Sequence, residues 1–315
     1  MSEALLGRPR SKAQPGPGPT PQALLRALDV TVGRRIHGLV PGEFRAHDLG
    51  GGTELAQVRP YEPGDDVRRI DWNVTARTTV PHVRVHVPER ALTTWLVLDV
   101  SPSMTFGTAD RRKADVAEGV AVALGHVATQ RGNRLGILTF GGAEDRRLRP
   151  TGGRQGLLAL LLSARNDGDA GAVDGRDPLG ARSPAAALRF VAGAAARGGL
   201  VVVLSDFRGP RNWGRVLAAA AARHQVLAIE IRDPREDDLP DVGELTLIDA
   251  ETGREVRVDT SSRTLRERFP AAAAAERASL RSDLRQLGVN HIVLSTSGSW
   301  LRSLAGQLRV LGIAS

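Results

Sequence analysis

The sequence predicts an α/β fold: a doubly wound, mainly parallel sheet with a smaller β-rich subdomain ahead of it. From Leu92 onward, short apolar runs alternate with stretches of helical periodicity, as in a parallel sheet covered on both faces. Two of those runs, Trp95-Leu-Val-Leu-Asp99 and Leu200-Val-Val-Val-Leu-Ser-Asp206, are apolar almost throughout and then meet an acid. Strands buried on both faces read this way. Before Leu92 the chain is rich in turn signals and alternates polar with apolar residues instead.

Taken in order, residues 1–21 are Pro/Gly-rich and predict a disordered tail. Leu24, Leu25, Leu28 and Val32 share one face of a short helix near 22–34. Together with the β-rich stretch that follows, this helix makes a subdomain of residues 22–91. Gly50-Gly51-Gly52 and Pro63-Gly64-Asp65-Asp66 mark its turns, and His82-Val-Arg-Val-His-Val a half-buried strand. His82 and His86 are four apart, which on a strand separates them by ~13 Å and argues against a shared metal.

Residues 92–315 form the larger domain. A strand at 95–99 leads to a helix near 111–131, with Asp110 as its cap and Gly132 as its end. A strand at 135–140, a leucine-rich helix at 155–163 and a Gly/Asp-rich loop at 166–182 come next. Ser183-Pro184 opens another helix, serine as N-cap and proline at the first helical position. It is followed by a strand at 200–205, a helix near 213–223 and a strand at 226–231. Residues 245–258 read as a hairpin around Ala250-Glu-Thr-Gly253. Pro270 breaks a helical stretch, so that a helix is expected over 271–287. A strand at 289–295 and a helix carrying Leu301, Leu304 and Leu308 close the chain.

Composition narrows the function. There is no cysteine among the 315 residues, which excludes disulfides, thiolate metal sites and cysteine nucleophiles. No apolar run approaches the ~18 residues of a membrane span, and residues 1–21 lack the apolar core of a secretory signal. A soluble, cytoplasmic protein is the expectation. The net charge is +8, carried by arginine apart from Lys12 and Lys113. The arginines are interleaved with acids and aromatics are only 3%, so no stacking platform for nucleic acid accompanies them.

The chemistry concentrates at Asp99-Val-Ser101-Pro-Ser103. Open α/β sheets place their ligands at the carboxyl ends of strands. One carboxylate and two hydroxyls there make an oxygen set suited to a hard cation such as Mg2+, or Mn2+ or Ca2+ in its place. Asp206 ends a second strand in the same manner. Asp and Ser also serve as ordinary turn and cap residues, so the pattern gains weight from its position.

At these residues the chain resembles a von Willebrand factor type A domain, a Rossmann-like fold. There a strand-end acid, two serines, an intermediate hydroxyl and a later aspartate form a metal-ion-dependent adhesion site. The block Tyr61-Glu-Pro-Gly-Asp-Asp-Val-Arg-Arg-Ile-Asp71-Trp72-Asn-Val-Thr-Ala-Arg77 resembles the signature of the domain of unknown function 58 family. The resemblance implies Asp99, Ser101, Ser103 and Asp206 as metal ligands, with Ser183 as the intermediate hydroxyl and Thr151 as its rival. It also implies a MoxR-type AAA+ ATPase as partner, or a client protein offering a carboxylate to the ion, and no enzymatic activity. The 61–77 block itself reads as a turn followed by a strand, with Trp72 buried and its charges paired at the surface. Its alternative reading is a contact surface for the ATPase.

An enzyme is the main rival, since a bound cation can activate water for hydrolysis. The chain holds no His-Glu-x-x-His, no Gly-x-Ser-x-Gly and no Gly-x-x-x-x-Gly-Lys-Ser/Thr phosphate loop. A basic nucleic-acid-binding protein is the other alternative.

Overall fold

The computed structural model describes residues 54–87, 93–129, 133–142, 146–152, 183–194 and 198–313. The tail, the helix read at 22–34, Gly50–Gly52, Gly132, the 155–163 helix and the 166–182 loop lie outside them. The chain divides into two compact units, one spanning His37–Ala91 and one holding Leu92–Ser315.

In the smaller unit β1 (Glu54–Pro60) pairs antiparallel with β2 (His82–Val87), with a slip in register between Leu55 and Gln57. Between them lie a three-ten turn (Val67–Arg69) and α1 (Trp72–Thr78). This corrects the strand expected after the turn. Asp71 is an N-cap: its Oδ1 accepts from the backbone N–H of Asn73 and Val74 at 3.0 and 3.2 Å, satisfying donors a helix start leaves open. Trp72, the first residue of this short helix, is 70% exposed rather than buried. The acids pair outside the block, Asp65 with Arg59 and Asp71 with Arg84. Each arginine holds its carboxyl below the usual range.

The larger unit is built on a six-stranded sheet. Its strands are β3 (Thr93–Asp99), β4 (Arg134–Phe140), β5 (Arg147–Gly152), β6 (Leu200–Ser205), β7 (Gln225–Arg232) and β10 (Asn290–Ser295). The order is β10-β7-β6-β3-β4-β5, and all neighbours are parallel except β4 and β5. β5 was not anticipated from the sequence. It is an exposed edge strand with little apolar content, and an edge is where a sheet accepts a proline such as Pro150. A separate hairpin, β8 (Glu244–Ile248) with β9 (Glu255–Asp259), forms its own two-stranded sheet.

Helices cover both faces. α2 (Lys113–Thr129) and α6 (Trp300–Leu308) pack Val116, Val120, Leu124, Leu301 and Leu304 with Leu96, Leu98, Ile229 and Ile292 on one side. α3 (Pro184–Ala194), α4 (Gly214–Ala221) and α5 (Arg263–Gln286) pack Leu188, Val191, Leu217, Leu280 and Leu284 with Trp95, Val97 and Val203 on the other. β3 therefore feeds a helix on one face, while the helix leading into its neighbour β6 lies on the opposite face. That reversal is the switch point at which a doubly wound sheet opens a crevice beyond its strand ends.

Two helix readings are corrected. Pro270 lies inside a continuous α5 rather than ahead of it. The bond it forfeits is to the Arg266 carbonyl, in a largely exposed part of the helix where solvent can satisfy that group. Asp110 does not cap α2; its Oδ2 accepts from the backbone N–H of Gly298 at 2.7 Å.

Candidate metal centre

The centre begins with the register of β3 and β6. Leu98 stands opposite Leu204, so the next residue on β3, Asp99, is level with Ser205, and Asp206 follows one step beyond. Both acids are buried, at 6% and 4% exposure. Asp99 Oδ1 accepts from the backbone N–H of Ser101 at 3.0 Å, and its Oδ2 accepts from the Ser205 hydroxyl at 2.5 Å. The Ser205 oxygen in turn accepts from the backbone N–H of Phe207 at 2.9 Å. Phe207 holds a φ of 54°, a left-handed conformation that costs a non-glycine residue energy and clusters at functional sites.

Ser101 and Ser103 flank the start of a three-ten turn (Pro102–Thr105), with their hydroxyls 3.1 Å apart. Gly141, beyond the end of β4, fixes this turn from the side. It takes a φ of 83°, and a Cβ there would stand 2.8 Å from that of Ser101, so no larger residue fits. Ser183 is at the same end of the sheet, because a crossover helix runs back against its strands and Ser183 precedes α3. Its Oγ accepts from the Ala186 N–H at 3.3 Å, and it makes no hydrogen bond to Asp99, Ser101, Ser103 or Asp206. Thr151 is ruled out as the alternative. It pairs with Leu135 at the start of β4, about 16 Å along the strand from the Asp99 end.

Electrostatics separate the two acids. Asp206 Oδ2 accepts from the Lys113 ammonium at 2.5 Å, and its Oδ1 accepts from the Arg208 backbone N–H at 3.0 Å. Lys113 is 1% exposed and also meets Glu236 Oε1 at 2.7 Å. Burial opposes its charge, yet the two carboxylates outweigh burial and hold its pKa above the ordinary value. Among the described residues Asp99 has no such counter-charge. Burial first, and then the charge of Asp206, push its carboxyl up to about 7, against the pull of Ser101 and Ser205.

Among the described residues no three His, Asp or Glu side chains cluster to hold a metal. The candidate donors are instead one carboxylate short of positive charge and two converging hydroxyls. Such a set fits a hard cation that keeps part of its water shell, with Asp206 already shared with Lys113. Sequence reasoning missed Lys113, Ser205 and Gly141. A lysine kept at 113 in a chain whose other basic residues are almost all arginine was the visible signal for the first.

This is a doubly wound α/β domain with an oxygen-rich site at its switch point. The chain matches the model described as "Protein of unknown function DUF58" over residues 57–279 and belongs to that family. It is 43% identical over 285 residues to the uncharacterized protein Rv1480 of Mycobacterium tuberculosis, covering 90% of this chain and 87% of that one. The uncharacterized protein MAV169 of Mycobacterium avium is 44% identical over 132 residues, 41% of this chain and 76% of that one. Similar solved structures include the conserved hypothetical protein BatB from Bacteroides thetaiotaomicron, at 12% identity and a TM-score of 0.44. That match covers 70% of this chain and 98% of that one. A von Willebrand factor type A protein from Catenulispora acidiphila is similar at 13% identity and a TM-score of 0.38. It covers 73% of this chain and 43% of that one. No helix among the described residues is long and apolar enough to cross a membrane.

Proposed function

We propose that this protein is a non-enzymatic, divalent-metal-dependent interaction module. The observation that carries the reading is Asp99, a buried carboxylate beside a second acid, with no cationic partner among the described residues and two hydroxyls turned to the same strand end. Asp99, Ser101 and Ser103 would hold Mg2+ or a similar ion, with Ser183 and Asp206 at the margin of the set. Neutral hydroxyl ligands leave such an ion electron-poor, so it takes a carboxylate from outside in place of a water. Asp99 provides the charge that retains the ion, Ser205 fixes the rotamer of Asp99, and Lys113 holds Asp206 in an ion pair.

We further propose a MoxR-type AAA+ ATPase as the partner, in the maturation or remodelling of a client protein. The client or the ATPase would supply the carboxylate. Calorimetric titration of such an ATPase into the full chain, with and without chelator, tests this. Binding lost in chelator and lost in Asp99→Ala supports the reading; equal affinity under all conditions overturns it.

A further inference from the structure

The β8–β9 hairpin sends a carboxylate back to the candidate centre. Its tip is a tight turn, Asp249-Ala-Glu-Thr-Gly253. Asp249 Oδ1 accepts from the backbone N–H of Glu251 and of Thr252, each at 2.9 Å. Gly253 turns the chain with a φ of 69° and returns its N–H to the Asp249 carbonyl at 2.8 Å. So held, Glu251 extends its side chain to Ser103, where Oε1 accepts from the backbone N–H at 3.0 Å across 148 positions of sequence. Ser103 is one of the hydroxyl pair, and its N–H is two residues from the one Asp99 accepts. Among the described strands the hairpin pairs only with itself, so none of them imposes this contact.

Charge makes the placement telling. It brings a third carboxylate to the loop between Asp99 and the serines, where Lys113 is engaged with Asp206 and Glu236. A single exposed, charge-assisted hydrogen bond is also weak enough to be exchanged.

We propose that Glu251 is a further residue of the site: an internal carboxylate that holds the place a partner's carboxylate takes. This rests on the metal-dependent reading above and names what competes for the ion's outer face. The partner recognised is a polypeptide segment presenting an exposed Asp or Glu, and it binds only as the hairpin tip leaves Ser103.

The test uses Mn2+ alone and then acetate, on the full chain, its Glu251→Gln variant and its Asp99→Ala variant. Free Mn2+ is followed by electron paramagnetic resonance, and water on bound Mn2+ by proton relaxation. In Glu251→Gln the relaxation per bound ion rises by about a third, as one water joins the several a hard cation keeps. Acetate then lowers it in Glu251→Gln and leaves the unmodified chain unchanged. Mn2+ bound through Asp99, with the same relaxation and the same acetate response in the unmodified chain and Glu251→Gln, overturns the role of Glu251 and leaves the metal site standing. Mn2+ binding that is absent, or indifferent to Asp99→Ala, overturns both. Glu251 is exposed, so its substitution does not threaten the fold.

Discussion

Asp99 and Asp233 stand at carboxyl ends of the same sheet, both nearly inaccessible to solvent, and the protein treats them in opposite ways. Asp233, just past β7, accepts hydrogen bonds from Thr108 N–H and Oγ1, Ala109 N–H, Arg235 N–H and Thr296 Oγ1. Burial alone would raise its pKa, yet these donors outweigh burial and hold it below the usual carboxylate range. Asp99 accepts from groups of Ser101 and Ser205, which burial and the charge of Asp206 outweigh, and is pushed up to about 7. A buried carboxylate surrounded by donors is a structural pin: Asp233 ties the loop after β3 to the ends of β7 and β10. One buried without enough donors or a counter-charge is an opening for something the chain does not itself supply.

The largest effect that would sharpen this contrast is at Lys113, the counter-ion of Asp206. Lys113→Ala leaves the buried Asp206 without its ammonium partner, and is expected to cost ~3–5 kcal/mol in urea unfolding. A loss under ~1 kcal/mol would mean the pair is far better solvated than its burial indicates. Asp233→Asn comes next, at ~2 kcal/mol, since hydrogen bonds to a charged group are the strong ones.

The Asp233 variant also has a pH signature. The folded form binds the Asp233 proton more weakly than the unfolded chain does. Its contribution is therefore full above the unfolded value of ~4, shrinks as pH falls through that value, and is gone below the folded one. Unfolding free energies measured from about pH 6 down to about pH 2 should thus fall less steeply in Asp233→Asn. An unchanged acid slope would remove Asp233 as a pin. The smallest effect is expected at Asp99, where Asn removes a charge that burial already disfavours. Stability should change by less than ~1 kcal/mol or rise, and a loss as large as that of Asp233→Asn would erase the distinction between the two acids.

The strand-end acids were legible because a charge that stops an apolar run is a local pattern, visible at Asp99 and Asp206. The strands at 135–140, 226–231 and 289–295 were read from their apolar runs alone. β5 was missed, since an exposed edge strand has no apolar periodicity to show. α1 was misread because Trp72 suggested a buried strand, although Asp71 followed by unpaired backbone donors is a capping pattern. Lys113 and Glu251 reach Asp206 and Ser103 across 93 and 148 positions. Such separations are set by topology, and no spacing rule in the sequence encodes them.

The central claim is that Asp99 carries a charge the fold leaves for a cation to balance. Thermal unfolding with and without Mg2+, in the full chain and in Asp99→Asn, tests it most directly, because a ligand that binds the folded state raises its melting temperature. Mg2+ should raise the melting temperature of the full chain and leave that of Asp99→Asn where it was. Equal shifts in the two, or none in either, would contradict the account.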